Sequence, residues 1–403
     1  MSPPATTPLP GSRPRPRVGF LVYDLKPFTA DYLARIAVRL HPGQLRAYPI
    51  LSSPVAEDLP YTHRPSHRQG RFFSVRRQGA TPEGFLFTTN WRGAWACAWE
   101  NEVVLLSGIQ GGTALVTTLF ALLLRRTVIS INQTLPPAWE HRRRWWIRLL
   151  KGWILHRCRL HVVQTPITRR TLAEVYHIPD ARMLDAPFEA GATAFQGYLS
   201  RISLSRSALR QALAWSPEEC IFLFVGTLLR FKGPFTLIDA ATILQRRGHR
   251  FRVLCIGEKA AQDGEWDLPS YRRLAADKGV GEVISFPGPR PLAELASCYL
   301  AADVLVLPTQ KDCFPKVLVE AALAGLPLIT TDACGAAEVL VCEGETGFVI
   351  PPDDVPALVA AMETLLDPEL RQRLGRQARH RCLAFCNPER EAEGFLRAIR
   401  LAS

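Results

Sequence analysis

Two carboxylates, Asp312 and Glu320, stand eight positions apart around the start of a helical pattern that follows an apolar strand. Val304–Leu307 reads as a buried strand that stops at Pro308, and Pro315 suits the first turn of the next helix, where its missing N–H costs nothing. Backbone N–H groups at such a helix start attract phosphate. Asp312, in the loop before the helix, is placed to face a sugar hydroxyl. Glu320, more than a turn into the helix, can accept hydrogen bonds from both hydroxyls of a ribose. The alternative is a loop acid and a helical glutamate that both face solvent.

A second stretch carries cations. Ile221–Val225 is a continuous apolar run ending at Gly226, as expected of a strand covered on both faces. Gly226 allows close backbone approach. Thr227, Arg230 and Lys232 follow before a helical pattern from Phe235. Lys232 is a mobile point charge suited to a diphosphate. Arg230 and Lys232 read otherwise as ordinary solvated loop charges.

These pieces, in this order, resemble the retaining glycosyltransferases of group 1, or family 4. Asp312 takes the place of the usual first Glu in the family's pair of acids with seven residues between them, and the segment Phe314, Pro315, Lys316, Val317 through Glu320 matches its surroundings. Gly226 and Lys232 match the glycine and the Lys-Gly of the family's first strand and turn. Thr227 replaces an expected arginine, with Arg230 as the candidate substitute. Val283–Gly288 matches the strand and turn near the nucleotide base, and Asp332–Glu338 matches a conserved-looking turn with Cys334 in place of a glycine. The resemblance covers roughly the C-terminal half. It implies an α/β GT-B fold, two Rossmann-like domains with parallel sheets facing across a cleft.

It also implies a nucleotide-sugar donor, a glycan or lipid-linked acceptor, hexosyl transfer with retention, and no cofactor or metal. The catalytic candidates are then Asp312, Lys232 and Arg230. The donor-binding candidates are Gly226, Thr227, Lys232, Gly288, Phe314, Pro315, Lys316, Val317 and Glu320. A nucleotide-sugar epimerase, a phosphorylase or a non-catalytic nucleotide-sugar-binding protein on the same architecture are the alternatives.

The N-terminal half resembles the family only in layout. The loop Asp24–Ala30 after the first strand lacks the family's glycine pair, and Gln110 is the side chain available where relatives carry His. The expected boundaries are a disordered tail at 1–16, an acceptor-side domain at 17–190, a linker at 191–206 and a nucleotide-sugar domain at 207–367. A helical segment at 368–403 is expected to pack back on the first domain.

The chain has 403 residues, 47% of them hydrophobic, enough for two cores. Ten scattered cysteines show no paired metal-ligand spacing, and no signal peptide is evident, so a cytoplasmic protein with reduced thiols is expected. Val103–Leu124 is uncharged and long enough to span a bilayer, but its glycines favour a strand and a helix. Net charge is +12, which suits anionic partners. Nothing resembles a nucleic-acid-binding module. The densest basic stretch, Arg142–Arg157, sets Arg144, Arg148 and Lys151 beside Trp146 and Trp153. That suits either an interfacial helix at the inner face of an anionic membrane or a domain helix with a buried tryptophan face.

Overall fold

The computed structural model describes residues 16–22, 33–40, 44–49, 62–63, 90–107, 112–142, 144–257 and 267–403. Within them lie two parallel sheets. The first contains β1 (Val18–Val22), β2 (Leu45–Pro49), β3 (Thr62–His63), β4 (Val103–Ser107), β5 (Thr127–Asn132), β6 (Leu160–Val163) and β7 (Met183–Asp185), in the order β3-β2-β1-β4-β5-β6-β7. The second contains β8 (Cys220–Val225), β9 (Phe251–Ile256), β10 (Ile284–Gly288), β11 (Val304–Leu307), β12 (Leu328–Thr331) and β13 (Gly347–Ile350), in the order β10-β9-β8-β11-β12-β13.

Each sheet grows outward from its first strand and then restarts on that strand's other side. β8 therefore pairs with both β9 and β11, and β1 with both β2 and β4. In such sheets the crevice beyond the strand ends opens at this switch point, where successive crossovers leave in opposite directions. The expected two-sheet α/β architecture is present. The apolar runs of β8 and β11 are buried at every position, as helices on both faces require. The uncharged stretch from Val103 divides into β4 and the helix Gly112–Leu123. Among the described residues no helix is long and apolar enough to cross a membrane.

The stretch read as a linker is largely helical. Ala192–Ser200 forms a helix, and Arg206–Ala212 follows it. Its small residues are interrupted by Phe195, Tyr198 and Leu199 at helical spacing, and Phe195 is buried edge-on to Tyr299 at 5.5 Å in the second core. Phe188 and Ala190 also belong to that core, so the second apolar unit begins before residue 191. The C-terminal segment divides as well. Pro368–Phe385 packs on the second domain, where the Cys382 thiol approaches the Val319 carbonyl. Only the helix Pro388–Ala402 lies against the first sheet, burying Phe395, Ala398 and Ile399 beside Phe20, Val18 and Val162.

The basic helix Trp145–Arg157 turns part of its expected basic face inward. Ile147, Ile154 and Leu155 are buried, and so is Lys151. The Lys151 ammonium reaches Glu140 Oε1 at 2.7 Å, and the Tyr176 hydroxyl donates to the same oxygen at 2.6 Å. Lys151 thus belongs to an internal ion pair instead of an outward basic face. Arg143, the loop Asp24–Ala30 and Gln110 lie outside the described residues.

The chain passes between the domains near Glu189 and returns near Glu391, and these two buried carboxylates meet. Gly191 and Thr193 donate backbone N–H to Glu189, Arg35 reaches Glu189 at 3.1 Å, and Gln164 donates to Glu391 at 3.2 Å. Burial, reinforced by the Glu189 charge and opposed by Arg35, pushes the Glu391 carboxyl up to about 8. The folded protein therefore holds a proton there that the unfolded chain releases near the ordinary carboxylate value. This contribution is full below that ordinary value and is lost as pH rises through about 8. Between about pH 5 and about 8, the parent should lose thermal stability more steeply than Glu391→Gln, and above that range the slopes should converge. Parallel melting curves would expose an error in this account if the two slopes matched.

Candidate active site

The site is built from the ends of strands flanking the switch point. β8 is followed by Gly226 (φ 153°), β9 by Gly257 (φ 147°), and β10 ends at Gly288 (φ 89°). Gly226 N–H donates to the Ile256 carbonyl, and Gly257 N–H to that of Gly288. A Cβ on Gly257 would stand 1.9 Å from the Gly226 carbonyl oxygen, so that position takes no side chain. The three strand ends make a backbone floor that a ligand can approach closely.

Beyond Gly226 and the exposed Thr227, the chain makes a tight turn at Arg230–Lys232, then the helix Pro234–Arg246. Lys232 pairs with Asp312 Oδ2, joining the loop after β8 to the loop after β11. Two predicted site residues from distant parts of the sequence thus meet at the switch point. The loops are stitched together on either side: Gln310 N–H donates to the Phe231 carbonyl at 2.6 Å, and Thr309 Oγ1 donates to it at 3.1 Å. Lys232 and Lys311 both lie over the Phe231 ring, at 5.5 and 5.2 Å. The Asp312 backbone is fixed by Ala333 and Gly335, whose contacts are 3.2 and 2.8 Å. Asp312 Oδ1 makes no hydrogen bond among the described residues. Arg230 is exposed with its guanidinium over Phe235 at 5.6 Å, and makes no ion pair among the described residues.

The helix after Asp312 runs Lys316–Leu323, with Pro315 at its N-cap. Glu320 accepts a hydrogen bond on Oε2 from the Tyr299 hydroxyl at 2.8 Å. Burial raises the Glu320 carboxyl, while Tyr299 and the Lys316 charge hold it down. Tyr299 is itself fully buried, so Glu320 is oriented from below and its Oε1 stays without a partner among the described residues. Sequence reasoning placed Leu295–Leu300 on a helix but found no role for Tyr299; nothing in its spacing marks it as the partner of a residue 21 positions on.

Phe314 contributes no side chain to the open face of the site. Its side chain is buried between Phe188, edge-on at 5.2 Å, and Phe385, stacked at 6.2 Å. An aromatic ring spent on the junction of three segments anchors the loop, and leaves only backbone for a ligand. Pro315 is likewise buried, whereas Lys316 and Val317 are half-buried at the helix start.

The first domain touches the same loop system. Arg170 forms a two-pronged bridge to Glu338, at 2.6 and 3.0 Å, at the end of the turn that holds Asp312. The Thr134 carbonyl lies 3.5 Å from the place a Cβ on Gly335 would occupy. Thr134 Oγ1, just beyond β5, is buried without a hydrogen-bond partner. Neither Arg170 nor Thr134 was singled out by the sequence, because long-range partners leave no local pattern.

Two parallel α/β sheets joined by a double crossing, with the site at a switch point, define the GT-B fold class. Known structures agree. Sucrose-phosphate synthase from Thermosynechococcus elongatus superposes with a TM-score of 0.72 at 20% identity, covering 96% of this chain and 99% of that one. Anabaena HepE in complex with UDP superposes with a TM-score of 0.71 at 16% identity, covering 96% and 100%.

Residues 205–381, somewhat under half of the chain, match the family model described as Glycosyl transferases group 1, as the motifs of the second domain led us to expect. Among curated relatives, the D-inositol 3-phosphate glycosyltransferase of Corynebacterium efficiens is 40% identical over 162 residues, 39% of this chain and 37% of that protein. The protein of the same name from Nocardia farcinica is 30% identical over 244 residues, 60% and 52% of the two chains. The matched stretches thus span from about a third to about half the length of the curated relatives.

Proposed function

We propose that the protein transfers a hexose from a nucleotide-sugar to a glycan or lipid-linked acceptor, with retention of anomeric configuration. The observation that carries this reading is the meeting of Lys232 and Asp312 where β8 and β11 diverge, with Glu320 on the adjoining helix. One cation, one sugar-facing carboxylate and one ribose-facing carboxylate are what a nucleoside diphosphate sugar presents partners for. Relatives named as D-inositol 3-phosphate glycosyltransferases, and a structural neighbour captured with UDP-glucose, support that donor class.

In this reading the diphosphate lies at the helix start and beside Lys232, with Arg230 free to swing onto it. Asp312 Oδ1 accepts from a sugar hydroxyl. Glu320 Oε1 accepts from the ribose. The bond from the sugar's anomeric carbon to the diphosphate breaks, and its electron pair stays on the phosphate oxygen. The acceptor oxygen bonds to the same face of that carbon, and its proton passes to the leaving oxygen. No enzyme nucleophile or cofactor is needed. The protein holds the reactants in register and stabilises growing negative charge on the leaving group. We place this activity in the cytoplasm, with lipid-linked acceptors reached at the membrane's inner face.

Incubation with a panel of nucleotide-sugars and candidate acceptors, with product configuration read by NMR, tests the proposal. A glycoside with the donor's anomeric configuration is expected. Free sugar released at equal rate with and without acceptor would favour the epimerase reading; binding without turnover would favour a non-catalytic protein.

Glu320 gives a narrower test. Glu320→Ala should weaken nucleoside diphosphate binding by about 1.5–3 kcal/mol, the worth of hydrogen bonds to a charged group. Its effect on the corresponding 2′-deoxynucleotide should be smaller. Calorimetry showing equal affinity for parent and variant would remove Glu320 from the ribose site.

A further inference from the structure

The outer surface of the first domain carries an apolar face that the chemistry above does not use. Three helices lie side by side on one face of the first sheet: Trp91–Glu100, Gly112–Leu123 and Trp145–Arg157. Their inward residues, among them Cys97, Ala121 and Ile154, share one core. Outward, Trp91, Trp95 and Trp99 recur every fourth residue and are 47%, 40% and 55% exposed. The next helix adds Leu119 and Leu123, the latter 72% exposed, and the third adds Trp145 and Leu149. The rings are held in place: Trp95 stacks on Trp99 at 5.4 Å and meets Phe120 edge-on at 5.0 Å.

Charge selects the occupant. The three helices contain a single acidic side chain, Glu100, and it is already engaged by Arg46 at 2.5 Å and Tyr48 at 2.8 Å. Arg92, Arg125 and Arg157 are exposed around the apolar centre. A second copy bound through the same face would bring these like charges together about a two-fold axis. An anionic bilayer instead offers phosphates to the arginines and a headgroup layer that suits tryptophan.

We propose that this three-helix face docks on the surface of an anionic bilayer, with Trp91, Trp95, Trp99, Leu119 and Leu123 at headgroup depth and the arginines on lipid phosphates. The centre of the docking face is therefore the tryptophan helix, with residues 145–157 at its edge. The inference does not depend on which donor the protein uses.

Vesicle flotation with the full chain tests it. The parent should float with vesicles of phosphatidylcholine and phosphatidylglycerol at low salt, and less with phosphatidylcholine alone or at high salt. Leu123→Glu, at a well exposed position, should lower the partition coefficient by at least about tenfold, the scale set by burying one large apolar side chain. Trp99→Glu should do the same, and Arg92→Glu with Arg125→Glu should remove the preference for anionic vesicles. Arg373→Glu with Arg376→Glu, exposed on the second domain, should leave flotation unchanged and so exclude a general effect of basic charge. Melting curves for each variant separate lost docking from lost folding. Failure of the parent to float, or undiminished flotation of folded Leu123→Glu, would overturn the proposal. So would sedimentation showing a dimer that Leu123→Glu dissolves while vesicles are ignored.

Discussion

Lys232→Ala should lower kcat/KM for the nucleotide-sugar by about 10²–10³-fold, the loss that follows removal of one preorganised charge-stabilising group. Two effects add. The leaving diphosphate loses a cation whose interaction grows as the bond breaks, and Asp312 loses the partner that fixes its carboxylate. Because the phosphates are the only part of the ligand that Lys232 meets in this account, the variant should bind nucleosides almost as the parent does and nucleoside diphosphates far less tightly. Lys232→Arg should recover little, since a planar fork cannot replace a compact ammonium held against Asp312. Arg230→Ala should cost less than Lys232→Ala, its guanidinium being exposed and without an ion pair among the described residues. Steady-state kinetics with calorimetry on the three variants decide this. A Lys232→Ala enzyme with unchanged turnover would place the phosphates elsewhere.

The second large effect is on stability. Lys151→Ala should destabilise the first domain by about 3–5 kcal/mol, because it removes the ammonium that pairs with the buried Glu140 carboxylate. Tyr176 still donates to Glu140, but a neutral donor does not offset a buried charge. Replacing both partners, as Lys151→Met with Glu140→Leu, should recover most of the loss, since two apolar side chains have no charge to desolvate. Urea denaturation followed by far-UV circular dichroism measures both. A Lys151→Ala protein as stable as the parent would mean that water reaches this pair.

The contrast between the two residues shows what the sequence made legible. Lys232, Gly226, Asp312 and Glu320 lie in strand–turn–helix units whose apolar runs and turn residues announce their boundaries, so their positions at strand ends were readable. Their mutual geometry was not. The pairing of Lys232 with Asp312, 80 positions apart, depends on β11 lying beside β8, which no local pattern encodes. Lys151 shows the opposite error. Its spacing from Arg144 and Arg148 resembles a solvated stripe, and only the arrival of Glu140 and Tyr176 from other segments makes it internal. The helix Ala192–Ser200 was hidden by small residues, although Phe195 and Leu199 supplied its buried side. The tryptophans at 91, 95 and 99 carried a plain period of four that was readable in sequence but has no counterpart in the motifs around the cleft.

The central claim is that the ends of β8 and β11, with the helix Lys316–Leu323, hold one nucleotide-sugar. Calorimetric titration of a donor panel into the parent, Lys232→Ala and Glu320→Ala tests it most directly. The account predicts saturable binding of at least one nucleotide-sugar to the parent, and weakening in both variants while their melting curves remain close to the parent's. Binding that both variants retain in full, or no binding by the folded parent across the panel, would contradict it.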